Sequence, residues 1–107
     1  MQTAPKPIPF YEILQTEPLV LVDFSAEWCG PCKMMKPVLE ELKSWIGSKA
    51  MILKIDVDKN THAATKYEVT VVPTLLLFRN GQIVWRHSGA VDLHTLKKIL
   101  HQNFTSN

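Results

Sequence analysis

The chain has 107 residues, 46% hydrophobic and 21% charged, with a formal net charge of +2. That length supports one domain over residues 1–107 and buries roughly two-thirds of its surface, so no structural metal or disulfide framework is required. The composition excludes disorder, and the scattered basic residues lack the concentrated stripe that nucleic-acid binding needs. No apolar run approaches the ~20 residues of a membrane-spanning helix.

Residues 1–8 read as an extended proline-rich arm, because Pro5, Pro7 and Pro9 each lack an amide hydrogen and lock φ. This stretch has no apolar h-region, so no secretory signal is read there and a cytoplasmic protein is expected. Residues 10–15 form a short helix that Pro9 starts and Pro18 follows. Residues 19–24 (Leu-Val-Leu-Val-Asp-Phe) are a nearly continuous apolar run, the pattern of a strand covered on both faces.

A helical period follows, with Met35, Val38, Leu39, Leu42, Trp45 and Ile46 at three- and four-residue steps. Lys36, Glu40, Glu41 and Lys43 fall mainly on the opposite side, and Gly47 is a natural stop. Pro37 removes one backbone donor inside this helix and is expected to kink it. Met34, Met35 and Trp45 are assigned to the core.

Residues 51–55 read as a second buried strand and residues 61–67 as a short helix. Residues 74–78 and 82–85 flank Asn80-Gly81, a strong hairpin signal. Asp92 caps a last amphipathic helix with Leu93, Leu96, Ile99 and Leu100 on one face, and residues 102–107 are a polar tail. The order is helix, strand, helix, strand, helix, hairpin, helix. It predicts an α/β protein, a mixed sheet with helices on both faces.

The two cysteines stand three apart, in Cys29-Gly30-Pro31-Cys32. A disulfide needs Cα atoms about 4.4–6.8 Å apart, and residues three apart on a helix face the same way. A pair at a helix start can therefore open and close its bond with little backbone motion. Cys29 falls at the helix N-terminus, where unpaired N–H groups favour a thiolate. Cys32 lies a turn inside and is expected to be less exposed. That asymmetry makes Cys29 the attacking sulfur and Cys32 the resolving one. Two ordinary buried thiols and half of a four-ligand zinc site remain the alternatives. The four histidines, His62, His87, His94 and His101, make no ligand spacing with the cysteines, so no metal is expected.

The stretch from Val22 to Lys33, Val-Asp-Phe-Ser-Ala-Glu-Trp-Cys-Gly-Pro-Cys-Lys, closely resembles the active-site segment of the thioredoxin family. The likeness continues through Lys36-Pro37, Lys54-Ile55-Asp56-Val57-Asp58, Val72-Pro73-Thr74-Leu75 and Asn80-Gly81 to Gly89-Ala90, covering roughly residues 19–100. It implies the thioredoxin fold, a central mixed sheet of four to five strands between helices. The family usually begins with a strand, which the short proline-rich arm here reduces or removes. Ser25 stands where many bacterial members carry tryptophan and others serine.

Read alone, Asp23 is as readily an exposed strand-end carboxylate, Lys54 a snorkelling edge lysine and Trp28 a core aromatic. The resemblance assigns them otherwise. It implies a buried Asp23 that exchanges protons with Cys32, and a Lys54 that modulates Asp23. It implies a cis peptide bond before Pro73, where an unaided reading favours trans. The backbone of Val72 is then implied to pair with an extended substrate segment like an added strand. Trp28, Pro31, Gly89 and Ala90 are implied to form an apolar substrate rim, with Gly30-Pro31 constraining the cysteine loop and tuning its potential.

The function so implied is protein-disulfide reduction by a reversible Cys29–Cys32 couple, serving cell redox homeostasis. No bound cofactor or metal is expected, and electrons come from NADPH through a thioredoxin reductase. The expected partners are disulfide-containing protein substrates and that reductase, with no nucleic acid or membrane, the chain acting as a monomer. The alternatives are a thiol oxidant or isomerase in an oxidising compartment, and a redox-independent binding or chaperone module.

Overall fold

The structure, a computed structural model, describes residues 9–104. The arm expected over residues 1–8 and residues 105–107 of the tail lie outside the described residues.

Helix α1 (Phe10–Thr16) opens after Pro9 and closes with the Glu17 N–H on the Ile13 carbonyl, before Pro18. Strand β1 (Leu19–Ser25) follows and is buried at every position. Helix α2 (Gly30–Ile46) runs through Pro37 and stops at Gly47, whose φ of 58° favours a residue without Cβ. After a single 3₁₀ turn come β2 (Met51–Asp56), α3 (Thr61–Lys66), β3 (Thr74–Arg79), β4 (Gln82–Ser88) and α4 (Leu93–Gln102).

Among the described residues the sheet has four strands in the order β2-β1-β3-β4. β1 pairs parallel to β2, with α2 as the crossover, and antiparallel to β3. Asn80 and Gly81 close the β3–β4 hairpin with φ of 50° and 81°. A type I′ turn needs positive φ at both central residues, and Asn-Gly supplies it at low cost. Leu77 pairs with Trp85 but Phe78 with Ile83, so Val84 is a bulge residue in the edge strand.

Strand alternation divides the core. Leu19 and Leu21 of β1 join Leu75 and Leu77 of β3 beneath Met35, Leu42 and Ile46 of α2 and Leu96 and Leu100 of α4. Val20, Val22, Phe24, Leu76 and Phe78 face the other way, onto Leu14 of α1 and Ala63 of α3. One-residue alternation therefore puts Asp23 on the α2 face, in phase with Leu19 and Leu21. Asp92 caps α4 by accepting the Thr95 N–H at 3.1 Å.

Four expectations need correction. β2 forms where expected, but as an edge strand that is only partly buried, with Lys54 exposed. Met34 and Trp45 are not core residues: Met34 is 71% exposed and Trp45 41%. Met34 lies one step outside the buried stripe of α2, and Trp45 sits on its margin, stacked on Phe104 at 5.7 Å between ring centroids. The polar tail also starts later than expected. Gln102 completes α4, and Phe104 packs against the α2–α4 core.

Candidate active site

β1 ends at Ser25, and the short turn through Glu27 and Trp28 delivers Cys29 to the N-cap of α2. The Cys29 N–H donates to the Ala26 carbonyl at 3.2 Å, closing that turn. Cys29 and Cys32 form a disulfide with Cα atoms 5.3 Å apart. The Cys32 backbone N–H donates to Cys29 Sγ at 3.1 Å. One of the orphan donors of the helix start is thus aimed at this sulfur, where it favours negative charge in the reduced state.

The expected difference in exposure between the two cysteines is absent, since each is 3% exposed. Cys29 is covered because Ala26, Val57 and Val72 pack around the pair. The asymmetry lies in polar surroundings instead. Cys29 Sγ holds the helix N–H and sits 3.6 Å from the Val72 carbonyl oxygen. Cys32 borders a cleft that leads to Asp23.

The Val72–Pro73 peptide bond is cis, as the resemblance implied. The Pro73 carbonyl accepts the Gly89 N–H at 2.7 Å, joining the segment beside the disulfide to the end of β4. Gly89 has φ of 101°, yet a Cβ there would meet nothing within 4 Å. Backbone conformation, not crowding inside the chain, calls for glycine. Gly30, Pro31 and Ala90 are all exposed.

Trp28 is 70% exposed, which removes the core-aromatic reading. Its indole Nε1–H donates to Asp58 Oδ2 at 2.8 Å. Asp58 is held in turn, because Asp56 Oδ1 accepts the backbone N–H groups of Asp58 and Lys59 at 2.8 and 3.2 Å. Sequence reasoning gave Asp58 no role. The available signal was Asp-Val-Asp at a strand end, where an aspartate turn is the usual reading.

Asp23 is 1% exposed, which overturns the exposed strand-end alternative. Burial pushes its carboxyl up to about 6, and the charge of Lys54 opposes the rise. Its Oδ1 has no hydrogen-bond partner among the described residues. Asp23 pairs in register with Lys54 on β2, whose side is exposed to solvent. A cleft of about 220 Å³ lined by Asp23, Cys32, Lys36, Glu40, Lys43 and Lys54 joins the carboxyl, the Cys32 side chain and the lysine.

A Cys-x-x-Cys disulfide at the start of a helix, on a mixed sheet with a cis-proline segment alongside, is the arrangement of a thiol–disulfide oxidoreductase. A family model described as Thioredoxin matches residues 5–102. The chain is 51% identical over 83 residues to a thioredoxin of Staphylococcus aureus, covering 78% of this chain and 80% of the relative. It is 46% identical over 88 residues to a thioredoxin of Bacillus subtilis, covering 82% and 85%. Among solved structures, a thioredoxin variant from Halobacterium salinarum superposes with a TM-score of 0.82 at 38% identity, covering 91% of this chain and 84% of that one. Oxidised mitochondrial thioredoxin 3 from Saccharomyces cerevisiae gives 0.80 at 34%, covering 87% and 86%. The chain belongs to the thioredoxin family. It is a protein-disulfide reductase that works through the Cys29–Cys32 couple on disulfide-containing substrates.

Proposed function

We propose that Cys29 is the nucleophile and Cys32 the resolving thiol. In the reduced protein the Cys29 thiolate attacks one sulfur of a substrate disulfide. The other substrate sulfur leaves and takes a proton. Cys32 then gives its proton to the Asp23 carboxylate and attacks Cys29 Sγ in the mixed disulfide. The second substrate thiol is released and the Cys29–Cys32 bond forms, so two electrons have passed to the substrate. Asp23 acts as the base directly or through water in the shared cleft, and a pKa of about 6 leaves it largely ionised at pH 7. Lys54 at the cleft mouth moderates that basicity.

An extended substrate segment lies along the Val72 backbone beside Pro73, with Trp28, Pro31, Gly89 and Ala90 as the surrounding rim. Gly30-Pro31 constrains the cysteine loop and contributes to the potential. The protein works as a cytoplasmic monomer without a bound cofactor or metal, re-reduced by an NADPH-dependent thioredoxin reductase. No helix among the described residues is long and apolar enough to cross a membrane.

The observation that carries the order of attack is the Cys32 N–H aimed at Cys29 Sγ. It is tested by insulin reduction with dithiothreitol as electron source. Cys29→Ser abolishes turnover, whereas Cys32→Ser completes one attack and accumulates a mixed disulfide. Equal loss of both activities contradicts the order. The reduction potential measured against glutathione separates this reductase from an oxidant or isomerase.

A further inference from the structure

We propose that Met34 is a substrate-contact residue, an adaptable apolar pad beside the Gly30-Pro31 loop that favours disulfides carried on proteins over small soluble ones. This rests on the reading of Cys29 as the attacking sulfur. Met34 and Trp28, at 71% and 70%, are the most exposed large hydrophobic side chains among the described residues, and both belong to the segment that carries the disulfide.

Met34 stands three residues after Pro31 and four after Gly30 on α2, so the three share one side of the helix. Helical side chains lean toward the helix N-terminus, and a residue covers the surface over the turn before it. That lean carries Met34 toward exposed Gly30 and Pro31, at the end of α2 that holds the cysteines. Its neighbour Met35 has the opposite placement. Met35 is 1% exposed, and its Sδ accepts the Val91 N–H at 3.4 Å, immediately after Gly89-Ala90. The inner methionine anchors one wall of the site, and the outer one is left in water.

The core does not need Met34, since Met35, Leu42 and Ile46 complete the α2 stripe. A single exposed apolar side chain requires no explanation by itself. Here it adjoins, at three- and four-residue steps along α2, the exposed Pro31 and Gly30 that separate the two cysteines. A protein substrate seated along the Val72 backbone and over the Pro31 side of the rim brings flanking residues to Met34, whereas a small disulfide has none to bring. Methionine suits varied partners because it is unbranched, flexible and polarizable.

The test compares Met34→Gln, Met34→Leu and Ile83→Gln with the unsubstituted protein. Ile83, 45% exposed on β4, pairs with Phe78 toward the end of the sheet away from Thr74 and controls for general loss of surface apolarity. Insulin KM and kcat, the ratio of kcat/KM for insulin to that for hydroxyethyl disulfide, and the Cys29 alkylation rate are measured. Met34→Gln is expected to raise the insulin KM and lower that ratio about fivefold, with kcat and alkylation held. Met34→Leu restores both quantities, and Ile83→Gln matches the unsubstituted protein. An unchanged KM and ratio in Met34→Gln, an equal KM rise in Ile83→Gln, or an altered alkylation rate overturns the proposal. No insulin turnover by the unsubstituted protein overturns the reductase reading and this proposal with it.

Discussion

Asp23 pairs with Lys54 across the β1–β2 ladder, the carboxylate residue buried along the cleft and the lysine exposed to solvent. The lysine offsets only part of what burial does, and the carboxyl remains raised to about 6. An acid whose folded pKa lies above its unfolded value leaves the fold unpenalised at low pH. Stability then falls as pH rises from about 4 to about 6, because the unfolded chain ionises first, and levels off above that. A rise of about two pKa units corresponds to about 3 kcal/mol. Asp23→Asn is therefore expected to stabilise the oxidised protein by up to about 3 kcal/mol at pH 7 and to remove the slope between pH 4 and 6. Urea unfolding across that range checks both. An Asp23→Asn curve parallel to that of the unsubstituted protein would show that the carboxyl is not desolvated.

The 2.8 Å bond from Trp28 to Asp58 ties an exposed ring to a turn thirty residues away. Asp58→Ala releases the indole without touching sulfur, and the loose ring must then be ordered when substrate docks. The expected result is a rise of about threefold in insulin KM with little change in kcat. Trp28 fluorescence should become more solvent-like. A wild-type KM and emission would mean that the bond does not hold the ring.

Arg86 makes a clamp that no sequence pattern announced. Its guanidinium donates to the Tyr67 and Glu68 carbonyls at 2.6 and 2.7 Å, pinning β4 to the end of α3. Glu68 adopts φ of 56°, so the clamp secures a backbone conformation that a residue with Cβ seldom takes. Lysine keeps the charge but lacks the fork. Arg86→Lys is expected to lower stability by about 1 kcal/mol in urea unfolding. An unchanged midpoint would show that solvent replaces both bonds equally well.

The periodic part of the fold was readable before any coordinates. The run at residues 19–24 became the fully buried centre of the sheet, and Asn80-Gly81 made the tight hairpin, because burial and turn chemistry act locally. Asp23 was legible as an oddity, a charge in an apolar strand, but its burial depended on α2 lying across it. Met34 went astray because a hydrophobic residue one step off a helical stripe has the right chemistry and the wrong direction, and Trp45 because the margin of that stripe keeps the spacing but loses the cover. The equal burial of the two cysteines was hidden for a related reason: Val57 and Val72, which help cover them, arrive from distant segments. The Trp28–Asp58 and Arg86 contacts likewise join residues 18 to 30 apart, beyond any local pattern.

The most direct test of the central claim, an ionised Cys29 with Cys32 poised to resolve, is residue-resolved iodoacetamide alkylation of the freshly reduced protein from pH 5 to 9. The account predicts that Cys29 is modified selectively and rapidly at neutral pH, with its rate profile displaced to lower pH than that of an ordinary thiol, while Cys32 lags. Equal, slow labelling of both sulfurs along an ordinary alkaline profile would contradict it.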